Sequence, residues 1–538
     1  MQRTISIILI ISLFFTGKLL AQNNIEVDIE SKVLISSKDN LLPLYQYSNQ
    51  WGIVSPFEQT QALVLAGAKY NLLQKSNIRL QLGVSGVVKN KAGDSFLHEA
   101  YLKGQFINVI DFSIGKQAYT SISIDDNLTS GGFMMNSNAR PVPRAMIGIF
   151  DYWPVSFLGD VIEVKGGISH GVLNDDRTTT GRGNSADDLL VHEKWAYIRG
   201  GKLKVKPYVG LFHGALYGGT RPNGTEITTD FWATFWARGS EKIGGGEATN
   251  VAGAHDGFWD LGINYETEMG YFQFYVHKPF ADGTGLKITK ERNRDYKIGI
   301  YARLKKTRLI QRVSVELLKT DYQSGSGIPD PVYPGTYSII FVDDIEDYDA
   351  FMRDTFGEVT EGYTSWHLMR YLEKVQNHGQ KYGSRDDYNN NGSYYNGWTY
   401  HQMPMGTPLY HTYWQAQAYA PDWKPNNKVV FMNNRIKGFH FGIEGVITDG
   451  LSYIFKSTYT LNKGAYGEQY VDRYSWEEEP DFFYEGGKKQ VYSYLGLTYK
   501  NRNWRNITLQ GSVSIDSGEL YDAFGCMLGI KYSPELNF

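Results

Sequence analysis

The sequence predicts an all-β chain, a transmembrane antiparallel β-barrel of about eighteen strands with long loops on one side. Three observations predict it. Many segments alternate apolar and polar residues with a period of two. The connections between them alternate short and long in phase along the chain. An export-type N-terminus precedes a chain with no further apolar run long enough for a membrane helix.

The N-terminal segment MQRTISIILIISLFFTGKLLAQ has a basic start at Arg3 and an apolar run from Ile5 to Phe15, with Ala21 at a cleavage-type position. It reads as a secretory signal peptide over 1–21, leaving 22–538 as the barrel. No Cys follows the apolar run, so it is not a lipoprotein signal. The rest is rich in Gly (58) and Tyr (39) and poor in Pro (17), which is a β-rich rather than a disordered composition. A net charge of −3 gives no reason to expect a nucleic-acid partner. A lone Cys526 excludes a disulfide framework and any Cys-based metal site.

Strands are expected at 26–35, 60–73, 77–88, 96–106, 109–119, 144–151, 160–170, 192–200 and 203–213. The second half adds 257–268, 270–278, 293–304, 309–320, 438–448, 452–461, 490–500, 505–515 and 523–532. In 78–88, Ile78, Leu80, Leu82, Val84 and Val88 share a face opposite Arg79, Gln81 and Ser85. In 258–269, Trp259, Leu261, Ile263, Tyr265 and Met269 oppose Asp260, Asn264, Glu266 and Glu268. In 505–515, Ile507, Leu509, Val513 and Ile515 oppose Asn506, Thr508, Gln510, Ser512 and Ser514. Short connections fall around Gln74, Asn108, Gly201, Gly270, Lys306, Asp449 and Asn503, with a somewhat longer one at 152–159. The intervening ones are long: 36–59, 120–143, 171–191, 214–256, 279–292, 321–437 and 462–489. Gly93 and Gly518 mark two brief exceptions. A soluble sandwich has no reason to sort its loops by parity, whereas an even-stranded barrel between two compartments does. Glu163, Lys165, Glu266, Glu268, Arg303, Glu316 and Glu444 fall on the polar parity, which suits a wet or paired lumen. Outward aromatics near strand ends would form interfacial girdles. The terminal Phe538 suits outer-membrane insertion, although Pro534 interrupts the last alternation.

The connection 321–437 stands apart. It opens turn-rich with GSGIPDPVYPG, continues through 345–376 with spaced apolar residues that suggest one or two short helices, and ends in a segment dense in Asn, Gly and aromatics. It is expected to be an extracellular loop excursion, a cap rather than a second domain.

Six stretches, in order over most of the chain, carry a family resemblance: SIGKQAYT (113–120), LTSGGFMMNSNARPVPRAMIGI (128–149), VKGGISHGVLNDDR (164–177), VHEKWAYIRGG (191–201), NGWTYHQMPMGTPL (396–409) and NNRIKGFHFGIEG (433–445). Together they resemble the Wzi family of capsule assembly proteins. The resemblance implies an outer-membrane barrel of eighteen strands in a gram-negative bacterium. It also implies a surface lectin that helps retain or organise capsular polysaccharide without an enzymatic step. Expected partners are that polysaccharide, outer-membrane lipid and the barrel assembly machinery. In one respect the chain departs from the best-known branch of the family: only a few residues are expected between the signal peptide and strand 26–35, too few for that branch's N-terminal helical plug. Closure of the pore is therefore expected from the folding in of 36–59 or 321–437.

Sugar binding needs ring faces for pyranose C–H bonds and planar polar groups for hydroxyls. Arg385, Asp387, Asn391, Tyr394, Tyr395, Trp398, Tyr400 and His401 supply both within a short stretch. The alternative is an aromatic loop packed on its own rim. In NSNARPVPR, Arg140 and Arg144 stand beside stiffening prolines, and Arg177 follows in the next long loop. Arginines suit uronic or sialic carboxylates through bidentate pairing. The competing reading is structural pairing with a loop carboxylate such as Asp125, Asp126 or Asp175.

No catalytic, metal or cofactor site is expected. The acidic pairs Asp175–Asp176, Asp187–Asp188, Asp343–Asp344 and the run Glu477–Glu479 point apart on extended chain and lack the fixed separation that glycoside hydrolysis needs. Asp387 to Gly392 copies the first half of a calcium loop, but Trp398 occupies the place of the bidentate Glu. His192–Glu193 has no second His at helical spacing. Phosphate-binding and nucleophile-elbow motifs are missing. Ser169 and His170 sit on opposite strand faces. Two rival functions stay open, a saccharide-selective porin and, with less support, an outer-membrane lipase or deacylase.

Overall fold

The computed structural model describes residues 25–534 except 122, 246, 247, 249, 250, 282–284, 289–292, 326, 330–338, 342–344, 369, 370, 372–385, 427, 472–476, 502 and 505. The expected signal peptide and the terminal Phe538 lie outside the described residues.

Eighteen antiparallel strands close into one barrel. They are β1 (Ile25–Ser36), β2 (Thr60–Lys75), β3 (Ile78–Lys89), β4 (Phe96–Phe106), β5 (Ile110–Lys116) and β6 (Pro143–Pro154). Next come β7 (Ile162–Leu173), β8 (Leu189–Gly200), β9 (Val205–Tyr217), β10 (Ala254–Glu266), β11 (Gly270–Phe280) and β12 (Tyr296–Leu304). The last are β13 (Arg312–Lys319), β14 (Ile436–Thr448), β15 (Leu451–Asn462), β16 (Lys488–Lys500), β17 (Ile507–Gly518) and β18 (Ala523–Tyr532). Each pairs with its neighbour in sequence, and β1 pairs with β18 from Ile29↔Tyr532 to Ser36↔Gly525, which removes the free edge. All eighteen expected strands are present, displaced by a few residues at their ends. Among the described residues, no helix is long and apolar enough to cross a membrane.

The pleat sorts the side chains. Ile263, Val513, Ile515, Leu528 and Ile530 are exposed on the outer wall, while Asp260, Asn264, Ser512 and Ser514 are buried inside. Tyr265, Tyr499 and Tyr532 are exposed near the short-turn ends of their strands, where an interfacial girdle belongs. The inward charges are paired. Glu163 accepts from Arg199 (2.7 Å) and Lys206 (2.7 Å), and Arg312 Nε donates to Glu444 (2.7 Å). Asp260 accepts from Tyr197 (3.2 Å) and Tyr208 (3.0 Å). At the three-residue turn between β4 and β5, Val109 N donates to Phe106 O (3.0 Å), and the two central residues of that turn, Ile107 and Asn108, both have positive φ (46° and 59°), the twist that suits the flanking strands.

Three long connections turn inward and fill the lumen. Residues 37–59 carry the short helix α1 (Leu44–Tyr47), all of it buried. Leu44 N donates to Asp516 of β17 (2.6 Å), and the Tyr45 hydroxyl bonds His440 of β14 (3.2 Å) and Thr458 of β15. Residues 117–142 leave β5 and cross to the opposite wall. There Ser123 O accepts from Gln273 of β11 (3.2 Å), Asp125 accepts from Tyr301 of β12 (3.2 Å), and Ser130 N donates to Glu316 of β13 (2.6 Å). Residues 386–435 form the third piece, including α2 (Tyr413–Tyr419), whose Gln415 caps the helix start at Thr412 and donates to the Tyr47 hydroxyl (3.1 Å). One hydrophobic core joins all three to the inner wall. The connection between β13 and β14 is therefore not wholly an external cap: its second half descends into the barrel. A further helix, Tyr348–Phe356, is capped by Asp347 and packs Met352 against Tyr322 and Leu368 in a small separate cluster, within the 345–376 region where short helices were expected.

Candidate functional site

The aromatic cluster expected to face sugar lies in the plug core. Trp398 is 1% exposed; its indole Nε1 donates to Met134 O (2.6 Å), and its ring lies against Gly214 on the inner face of β9. A Cβ at Gly214 would stand 2.6 Å from the indole, so the wall is cut away there to admit the ring. Tyr394 and Tyr400 are buried, the latter donating to Asn174 (2.7 Å). Tyr395 is buried against Gly183. His401 has a left-handed backbone (φ 49°), and its N–H donates to Asp175 (2.9 Å). Burial pulls its imidazole down to about 3, with nearby Arg140 adding to the effect, so the ring is neutral. Asn391 accepts from the N–H groups of Ser393 (2.9 Å) and Tyr394 (3.2 Å), and Asp387 accepts from Asn434 (2.7 Å). The Asp387–Gly392 stretch is thus turn-forming, as its missing twelfth ligand suggested. Arg385 lies outside the described residues.

The three arginines are structural. Arg144 lies on β6, buried, paired with Glu193 of β8, which also accepts from Ser169 (2.7 Å). Its partner is a wall carboxylate, not a loop one. Arg177 is fully buried, donates from Nε to Asp175 (2.8 Å), and reaches the carbonyls of Gly397 (3.3 Å) and Thr399. It pins the loop that holds Trp398. Arg140 places its guanidinium 3.6 Å over the Phe96 ring, and burial draws it down to about 10. The structure thus brings Arg177, Tyr394, Trp398, Tyr400 and His401 together, as scaffold, with the Tyr394, Trp398 and Tyr400 rings closed off from solvent. The physical reason is that large rings bury more apolar area inside a wide barrel than they would on a wet rim.

Two cavities stand out among the described residues. The larger, about 580 Å³, opens at the long-loop rim between the end of β14's approach and the β15–β16 connection. Arg435, Lys463 and Gln469 form its inner side, Tyr470, Phe482 and Tyr484 its apolar lining, and Glu478, Glu479 and Asp481 its mouth. Arg435 donates to Gln469 (2.6 Å) and lies 3.9 Å over the Tyr466 ring; Lys463 donates to Asp321 (2.7 Å). Trp423 stacks on Phe483 beside it (5.5 Å between centroids). Reading Glu477–Glu479 only as acids that point apart on extended chain passes over this site. The signal that marks it is the run DFFYEGG, one proline beyond the acidic run. The smaller cavity, about 300 Å³, lies between plug and wall and is lined by charged groups including Glu30, Lys32, Arg312, Glu444 and Lys456. Among the described residues no group of three or more His, Cys, Asp or Glu is arranged to hold a metal ion.

No sequence family matches the chain, and no characterised protein matches it by sequence. Among solved structures it resembles Wzi of Escherichia coli, described as an outer membrane protein involved in group 1 capsule assembly and a carbohydrate-binding β-barrel. The identity is 11% and the TM-score 0.52, covering 94% of this chain and 85% of that one. It also resembles OccD3 (OpdP) of Pseudomonas aeruginosa at 9% identity and TM-score 0.44, over 96% and 92% of the two chains. A BenF-like porin of Pseudomonas fluorescens follows at 9% and 0.42, over 95% and 98%. At such identities the likeness speaks to the outer-membrane type of barrel.

Proposed function

We propose that this chain is an outer-membrane barrel that binds surface or capsular polysaccharide at its long-loop rim and helps assemble or retain it, without an enzymatic step. The observation that carries this reading is the filled lumen. Three connections with one continuous core occupy the bore, so the long-loop rim becomes the working surface. The described carbohydrate-binding barrel of similar fold supports the same reading. In it, the signal peptide is removed on export, the barrel assembly machinery inserts the chain, and the long loops face outward. The rim cavity around Phe482, Glu478 and Asp481 is the proposed contact, with the carboxylates for sugar hydroxyls. The test is a glycan array with purified protein, compared with a Phe482→Ala, Glu478→Lys variant that keeps its folded gel mobility. Binding by the wild type and its loss in the variant is the expected result; equal binding moves the contact elsewhere on the rim.

A second reading, a saccharide-selective porin, draws on the charged cavity beside the plug. Planar bilayers separate the two: the lectin reading expects no steady large conductance, and a steady large conductance supports the porin.

A further inference from the structure

Four histidines and a lysine sit on the wrong side of the wall. His170 (β7), His192 and Lys194 (β8), His213 (β9) and His255 (β10) share the parity of Ile168, Leu190, Ile198, Val209 and Ile263, all exposed on the outer wall. Their sequence neighbours Ser169, Glu193, Phe212 and Asp256 face inward. A bare lysine at such a position facing hydrocarbon would be costly. Yet His192 is 1% exposed and His213 and His255 are both 6% exposed.

The cover is the β9–β10 connection, which bends down over the outside of the barrel. Its helix, Phe231–Trp236, starts at Asp230, which accepts from Ala233 N (3.1 Å) and Ser240 (2.8 Å). Phe231 and Phe235, one turn apart, face the wall: Phe231 stands 5.0 Å from the His170 ring, and Phe235 4.9 Å from His192. Lys194 Nζ lies 4.3 Å from the Phe235 ring centre and donates to the carbonyl of Phe235. His213 and His255 bond each other (2.9 Å), and His255 reaches Ala252 O (2.9 Å). The opposite helix face carries Trp232 and Trp236, also one turn apart, 64% and 58% exposed. Arg238 and Lys242 follow, exposed.

We propose that this helix is an interfacial anchor whose partner is a lipid surface, with Trp232 and Trp236 seated in the outer leaflet. The inference rests on the membrane reading above. Three features select lipid over water. The tryptophan face continues the apolar belt of β7–β10. Indole combines an apolar body with one N–H, which suits the headgroup boundary. Arg238 and Lys242, exposed just after the helix with Glu241 between them, offer cations to headgroup phosphates. The inner face of the same helix neutralises the polar patch beneath it, so one short element both covers the wall and meets the bilayer.

The test uses the full chain with Cys526→Ser, reconstituted into phosphatidylcholine vesicles and carrying a nitroxide at Trp232→Cys or Trp236→Cys. Leu528→Cys marks the lipid-facing wall and Asn223→Cys the aqueous loop. Accessibility to oxygen and to a nickel chelate is measured, with heat-modifiable gel mobility checking the fold. The expected result is oxygen-favoured accessibility at 232 and 236, as at 528. Chelate-favoured accessibility, as at 223, overturns the proposal. So does protection from both probes, which would mean a protein cover such as a second copy. A water-exposed 528 would instead sink the membrane reading itself. If the cysteine variants fail to fold, brominated phosphatidylcholine replaces them: Trp232→Phe, Trp236→Phe should show less fluorescence quenching than the wild type, and equal quenching overturns the anchor.

Discussion

In β17, Val513 and Ile515 are exposed while Ser512 and Ser514 are buried, residue by residue. In 394–400, Tyr394, Tyr395, Trp398 and Tyr400 are all buried, with no period at all. The wall and the plug draw on similar residues under different constraints. A strand in the wall has two faces in two solvents, so its pattern is imposed on every position. A plug segment meets protein on all sides and is held by single contacts, such as Arg177 to the carbonyls of Gly397 and Thr399. Alternation therefore reports the wall, and only three-dimensional packing reports the plug.

The sharpest way to break this comparison is to empty the plug. Trp398→Ala should cost about 3–5 kcal/mol of local stability, the range for a fully buried aromatic. Hydrogen exchange should rise over 386–410 and 128–136 while the barrel keeps its folded gel mobility. Loss of the barrel as well would show that wall and plug fold as one unit. In the wall, Leu509→Arg should cost about 2–4 kcal/mol near the bilayer midplane, and Gln510→Arg much less because it faces inward. Equal losses in urea titrations of the reconstituted barrel would contradict the side assignment.

A smaller effect should come from pH. Burial raises the Asp126 carboxyl to about 7 from its ordinary 3.8, with adjacent Asp125 adding to the rise against the Thr120 hydrogen bond. A raised carboxyl favours the folded plug in its protonated form. Its contribution is full below about pH 4 and is lost as pH rises through about 7. Protection factors in 123–130, which remove the intrinsic base catalysis of exchange, should thus be higher at pH 5.5 than at pH 8.5, and Asp126→Asn should flatten the difference. Smallest of all in energy, epitope tags at Asn184 or Asn223 should be reachable on intact cells and tags at Gly201 or Asp449 only after permeabilisation. Reversed labelling would invert the barrel.

The legibility of the sequence follows the same division. Ile263 against Asn264, or Leu528 against Gly529, can be read as out and in from the chain alone, and so can the parity of the connections. The inward turn of 37–59 and of the later half of 321–437 is legible only indirectly, from the expectation that one of these two connections closes the pore. The crossing of 117–142 left no trace, because LTSGGFMMNSNARP reads as any polar loop with a few apolar residues. Trp398 and its neighbours were recognised as a cluster but placed on the wrong side of the rim, since ring density alone does not distinguish a sugar platform from a core. Arg144 carried no sequence signal for Glu193, forty-nine positions away, because strand register had to bring them together.

The seam between β1 and β18 has a consequence for biogenesis. Ser37, at the start of the first plug segment, exchanges hydrogen bonds with Phe524 of the last strand (2.7 and 2.9 Å), and Leu44 reaches Asp516 of β17. The N-terminal plug piece is thus moored to strands that are translated last. Until the C-terminal hairpin arrives, residues 37–59 lack their mooring to β17 and β18, and the cylinder stays an open, curved sheet. Stitching the seam and loading the bore become a single late event, so a chain truncated before β17 should lose the plug and the barrel together.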